Sequence, residues 1–234
     1  MAFFQDPSRQ PFLRAPPVVL WLIALLLGVH ALLTTVFAQS ANAIYGTYGF
    51  IPAHYSQVFL AHSGYTIFDL VVPFISYIFL HGSWSHVLIN SVWLLPFGPV
   101  VARRFGSLVF VVFFLFCGIA AALAHLAIFW GSPNPVIGAS GAISGLMAAG
   151  FRMFPAGEVA GARPPLAPIF SRRILVWTLL WCLINVIAGV TGLGTGGGVN
   201  LVAWGAHMGG YFAGLLLAGP FESLTGRRNV PINQ

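Results

Sequence analysis

The sequence predicts an all-α, polytopic membrane protein built as a bundle of six transmembrane helices. Three observations predict it. Only 6% of the 234 residues are charged and 58% are hydrophobic, with a mean hydropathy of +0.90, whereas a soluble domain carries about 25% charged residues. Apolar runs of spanning length recur along the chain. All ten basic side chains are arginines, and six spans place every one of them on the same side of the membrane.

A span needs roughly 20 apolar residues to cross a hydrocarbon core of about 30 Å. After a polar tail at 1–16, the first helix is expected at 17–39. That run is too long for a signal peptide and lacks a clean cleavage site, so it reads as a retained anchor. Residues 40–83 form a long external segment without Lys or Arg. Within it, "FDLVVPFISYIFL" at 68–80 is apolar but short and holds Asp69 and Pro73, so it reads as an interfacial or re-entrant piece. The second and third helices are expected at 84–101 and 107–130. The fourth, 139–154, measures only roughly 24 Å at 1.5 Å per residue. A helix that short requires neighbours to shield it and one end open to a cavity. The fifth and sixth helices are expected at 172–190 and 197–219, before a polar tail at 220–234. Residues 17–219 thus read as one six-helix membrane domain, with neither internal repeats nor a second domain.

The arginines orient the bundle. Arg9 and Arg14 precede the first helix, and Arg103 and Arg104 follow the second. Arg152, Arg163, Arg172 and Arg173 lie at or between the ends of the fourth and fifth, and Arg227 and Arg228 follow the sixth. Positive charge collects on the cytoplasmic side, so both termini are expected there, with "GSPNPVI" and "TGLGTGGG" outside. The arginine-only, Ala- and Gly-rich composition points to a bacterial cytoplasmic membrane. A net charge of +6 speaks to topology and anionic lipid, and arginines scattered singly or in pairs do not make a nucleic-acid surface. Cys117 and Cys182 fall inside apolar helices and read as small core hydrophobes, not as a disulfide.

Polar side chains at membrane depth are costly and mark function. "HGSWSHVLIN" at 81–90 places His86 and Asn90 on one face near the outer end of the second helix. "GASGAISG" places Ser140 and Ser144 at the outer end of the fourth. His207, in "AWGAHMGGYFAG", lies in the sixth helix about ten residues from its expected start, so all three clusters occupy the outer half of the bundle. Each also has a structural reading: a His–Asn pair stitches helices together, serines among glycines bond back to backbone carbonyls, and a lone histidine is a satisfied core residue. His30, His125, His54 and His62 lack such company and read as structural. Gly141-xxx-Gly145, Gly205-xxx-Gly209 and Gly210-xxx-Gly214 provide surfaces on which helices four and six approach closely. Ser140 and His207 then come within the reach that a serine nucleophile and its base require.

Other intramembrane chemistries fail on inventory. A zinc protease wants HExxH, and the glutamates, Glu158 and Glu222, both lie at the cytoplasmic side. An aspartyl dyad needs two embedded aspartates, and the chain has only Asp6 and Asp69. A serine hydrolase without metal or cofactor remains.

At these residues the sequence resembles the rhomboid family of intramembrane serine proteases, over about 17–219. The family's GxSG motif matches Gly138, Ala139, Ser140 and Gly141; its AHxxG motif matches Ala206, His207 and Gly210; its HxxxN motif matches His86 and Asn90, with His81 as the upstream histidine. The resemblance implies that Ser140 is the nucleophile and His207 the general base. It implies an oxyanion hole formed by the Ser140 amide with the side chains of His86 and Asn90, and support from His81. Substrates would be single-pass membrane proteins, cut in or near a helix that unwinds easily.

Two positions depart from that pattern. Many bacterial members carry a tyrosine one turn after the serine, its ring packed on the catalytic histidine. Ser144 stands there, so another residue must hold His207, with Trp204 and Tyr211 as candidates. Some members carry a Trp-Arg pair in the first external loop, and this loop has no arginine. The competing readings are a catalytically inactive rhomboid-like protein that binds membrane clients, and a small transporter. A transporter predicts paired broken helices in two related halves, which the sequence lacks.

Overall fold

The structure, a computed structural model, describes residues 15–154, 164–191 and 204–225. Helix α1 (Pro17–Thr35) starts on a proline, whose missing N–H and fixed φ suit a first helical turn. It stops short of residue 39. Thr34 and Thr35 turn their hydroxyls back onto the carbonyls of His30 and Ala31, and the chain tightens into a 3₁₀ turn at Ala38–Ser40.

The external segment is folded. It carries α2 (Ala41–Tyr48), α3 (Gln57–Ser63), α4 (Ile67–Val71) and α5 (Pro73–Ser76). The apolar stretch at 68–80 is therefore a broken helical piece, interrupted at Pro73. Its inner end is buried at Tyr77 and Ile78, while Ile67, Phe68 and Val71 are exposed. Phe50, Tyr55, Phe74 and Tyr77 pack as an aromatic cluster. With no arginine available, the segment is anchored to the bundle itself. Tyr77 donates its hydroxyl to the Gly118 carbonyl at 2.7 Å, and Phe50 pairs with Val136 in an antiparallel bridge through bonds of 3.0 and 2.8 Å.

Helix α6 (Trp84–Phe105) is capped by Ser83, whose hydroxyl accepts from the His86 N–H at 3.2 Å. It runs past residue 101, through Pro96 and Pro99, to a stop at Gly106, where φ is +80°. Helix α7 (Ser107–Ile128) returns antiparallel to it. Next come α8 (Ser140–Met153), α9 (Arg172–Thr191) and α10 (Trp204–Ser223). Helices α1, α6, α7 and α9 are long and apolar enough to cross a membrane by length and composition. Helix α8 has 14 residues and α10 is rich in glycine, and these two pack most extensively against each other and against α7. Every residue from Gly141 to Gly150 is buried, so α8 is shielded by protein, as its length demands.

Helix α10 reaches Ser223, beyond residue 219, despite Pro220. Phe221 packs on Phe105, Phe113 and Phe116, and Glu222 accepts from Arg104 Nε at 2.7 Å and Nη2 at 2.6 Å. These contacts hold the last turn. Arg152 bonds the carbonyls of Leu215 and Ala167, and Arg173 those of Phe151 and Phe154. The described arginines beyond α5 thus gather at one end of the bundle, and Ser140 and His86 lie at the other. Arg9, Arg14, Arg163, Arg227, Arg228 and the expected sixth-helix residues 197–203 lie outside the described residues.

Candidate active site

The site starts in the connection from α7 to α8. Gly138 holds φ at +116°, and a β-carbon there would lie 2.7 Å from His86 Nε2 and 3.7 Å from Asn90 Nδ2. Glycine alone supplies both that backbone angle and that space. The Gly138 N–H donates to the Tyr77 carbonyl at 2.9 Å. Ala139 then leads into α8 with no side-chain cap. The first amides of the helix, beginning at Ser140, have no intrahelical acceptor, and the positive end of the helix dipole lies among them.

Helices α8 and α10 meet backbone to backbone. A β-carbon on Gly210 would strike the carbonyl of Gly141, and one on Gly214 would strike that of Gly145. The Gly205 and Gly209 face turns instead to α7, against Phe129 and Ala124. Contact along the Gly210 face brings Ser140 Oγ to 2.8 Å from His207 Nε2. His207 stands in the first described turn of α10, and both residues are half-buried.

From the opposite side α6 presents His86 and Asn90. Asn90 is buried and donates one Nδ2 proton to the His86 carbonyl at 3.1 Å, which leaves a second proton for another acceptor. His81 is fully buried, its ring set edge-on to that of His86 at 5.0 Å. Its carbonyl accepts from the Tyr45 hydroxyl at 2.8 Å. Burial, and next the neighbouring His86, push its pKa down to about 3, so it stands as a neutral ring behind His86.

This geometry lies within a match to a known domain: the model of the rhomboid domain fits residues 69–221. The chain belongs to the rhomboid family. No curated protein sequence matches it. As a rhomboid it is a multi-pass membrane protein, and members of the family are intramembrane proteases or inactive relatives of them.

The residue that holds the histidine in this rhomboid is not one of those expected. Trp204 packs on Phe129 and beside Gly189, and Tyr211 bonds to Thr178 at 2.9 Å. His207 Nδ1 instead meets Asn185 Oδ1 of α9 at 2.8 Å, with the Trp181 ring tilted 6.4 Å away. The signal was in the sequence: Asn185 is a lone amide inside the apolar "WCLINVIAG", subject to the rule that singled out Asn90. It belongs to no motif, and 22 residues separate it from its partner.

The remaining polar groups have local duties. Ser144 donates back to the Ser140 carbonyl at 2.7 Å. Asp69 forms a capping box with Thr66, whose hydrogen bonds lower the Asp69 pKa. His30 lies edge-on to Trp84, His125 packs against Phe129, His54 stacks on Phe59, and His62 bonds the Val58 carbonyl. Cys117 and Cys182 are free thiols, the first buried beside Gly145.

Proposed function

We propose that this rhomboid is an active serine endopeptidase that cleaves single-pass transmembrane proteins in or near their membrane helix. The observation that carries the reading is the 2.8 Å contact between Ser140 Oγ and His207 Nε2 at the uncapped start of α8. In this reading His207 accepts the Ser140 proton as Oγ attacks the scissile carbonyl, then delivers it to the leaving amine. The Ser140 N–H, His86 and Asn90 stabilise the oxyanion, at about 2.7–4 kcal/mol for each donor in the transition state. His81, Gly138 and Gly141 support the site. Neither metal nor cofactor takes part, and the partners are the substrate helix and the lipid bilayer, with no nucleic acid.

Arginine placement further supports a bacterial cytoplasmic membrane, both termini in the cytoplasm and the dyad near the outer face. The domain reading is a membrane unit at 17–219 between cytoplasmic tails.

The test is a fluorophosphonate probe and a model transmembrane substrate, both offered to the protein in proteoliposomes. Wild type is expected to label and to cleave, while Ser140→Ala and His207→Ala do neither. A folded wild type that neither labels nor cleaves would place the protein among the inactive, client-binding rhomboids.

A further inference from the structure

Asn185 ties its two hydrogen bonds to different partners. Its Nδ2 donates to the Trp181 carbonyl at 2.8 Å, and its Oδ1 faces His207 Nδ1 at 2.8 Å. The amide cannot be turned over, because that would set Oδ1 against a carbonyl oxygen, two acceptors with no proton between them. The group facing His207 is therefore an acceptor, and the bond exists only if Nδ1 carries the proton. A neutral imidazole with hydrogen on Nδ1 leaves Nε2 bare, and Nε2 is the atom 2.8 Å from Ser140 Oγ. Asn185 is 3% exposed, so bulk water does not compete for either bond.

We propose that Asn185 is the positioning residue of the dyad: from α9 it fixes the tautomer and the ring orientation in which His207 can take the Ser140 proton. The proposal deepens the protease reading and rests on it for its kinetic consequence, though not for the tautomer. It also answers what replaces a ring stacked from position 144. A neighbour on α9 grips the imidazole edge through a hydrogen bond, and Trp181, one turn earlier on the same helix, stands beside it with its ring tilted by 37° at 6.4 Å.

The test compares three variants in proteoliposomes. Asn185→Leu keeps the approximate shape and removes the acceptor. Asn185→Asp, as the neutral acid, keeps an acceptor at Oδ1 and a proton on its other oxygen for the Trp181 carbonyl. Thr178→Val removes a different polar contact between α9 and α10, the hydroxyl pair with Tyr211, without touching His207. Asn185→Leu is expected to lower kcat by roughly 10²-fold with KM little changed, as for a loss felt only in the transition state. Asn185→Asp and Thr178→Val are expected to keep kcat within about tenfold of wild type. Wild-type kcat in Asn185→Leu would overturn the proposal. Equal losses in Asn185→Leu and Thr178→Val, tracking unfolding temperature, would also overturn it and reduce Asn185 to helix packing. A second readout is independent of turnover: ¹⁵N-histidine spectra, with His207 assigned by difference from His207→Ala. They are expected to show protonated Nδ1 and bare Nε2 in wild type, and loss of that preference in Asn185→Leu. If wild type shows this tautomer but neither cleaves nor labels, the protease reading fails and the positioning contact stands. If the Nε2-protonated form dominates wild type, the positioning role falls whatever the activity.

Discussion

The carbonyl of Gly141 occupies the place where a β-carbon of Gly210 would sit, so α8 and α10 touch through their backbones. Gly210→Ala must push the two helices apart, and Ser140 away from His207 with them. Overpacking of this kind costs about 1–3 kcal/mol, whereas displacement of a catalytic contact by about 1 Å costs on the order of 10²-fold in rate. Cleavage of a transmembrane substrate is therefore expected to fall much further than the fraction of folded protein. Full activity in a folded Gly210→Ala protein would mean that the dyad does not depend on this contact.

Asn90→Ala tests the oxyanion reading. The residue has one amide proton engaged with the His86 carbonyl and one to offer. Turnover is expected to drop by roughly 10²-fold or more, with the protein still folded. Unchanged turnover with a lowered unfolding temperature would make the His86–Asn90 pair a helix fastener.

His81 sets an acid limit on stability. Its ring stays neutral in the folded protein down to about pH 3, while the same ring in the unfolded chain charges below about pH 6.5. The unfolded state then binds a proton that the folded state refuses, so stability is full above about pH 6.5 and falls as pH drops toward 3. The slope from this one group is at most about 1.4 kcal/mol per pH unit. Thermal unfolding between pH 7 and pH 5 is expected to show a shallower acid loss in His81→Gln than in wild type. Parallel slopes would show that His81 ionises freely.

Asp69→Asn and Ser144→Ala are expected to retain substantial activity. Asp69 caps an exposed turn with Thr66, and the Ser144 hydroxyl is spent on the Ser140 carbonyl. Side-by-side cleavage assays decide both. An Asp69→Asn protein as inactive as Ser140→Ala would bring a carboxylate into the mechanism, and an inactive Ser144→Ala beside an active Ser140→Ala would move the nucleophile.

Topology follows from the arginines. Cysteines introduced at 1–8 or 229–234 are expected to resist membrane-impermeant thiol reagents in intact cells, and one introduced at 196 to react. Labelling of either terminus from outside would refute six spans with both ends in the cytoplasm.

The features legible in the sequence were those with a period or a motif. Apolar runs marked the bundle, and glycine spacings marked the surface that joins Ser140 to His207. Contacts between unrelated segments left no pattern. Asn185 meets His207 because α9 and α10 happen to lie side by side, and no spacing within either helix announces it. The docking of the external segment through Phe50 and Tyr77 is similarly silent, since aromatic clusters have no register. Helix ends were misjudged where tertiary contacts outweigh local propensity, as at Pro220, where Phe221 and Glu222 hold a turn that proline alone would end.

The external segment grips the chain just ahead of the nucleophile at alternate residues: Val136 through both its N–H and its carbonyl, and Gly138 through its N–H. Four positions downstream of the first clamp, Ser140 opens α8. The stretch therefore works as a ruler, fixed at one end by Phe50 and along its length by Tyr77. Side chains on a ruler can be exchanged wherever they do not touch its clamps, but its length cannot change. One residue inserted between Val136 and Ser140 would have to undo a clamp or carry the serine out of line with Gly138 and the His86 ring beneath it.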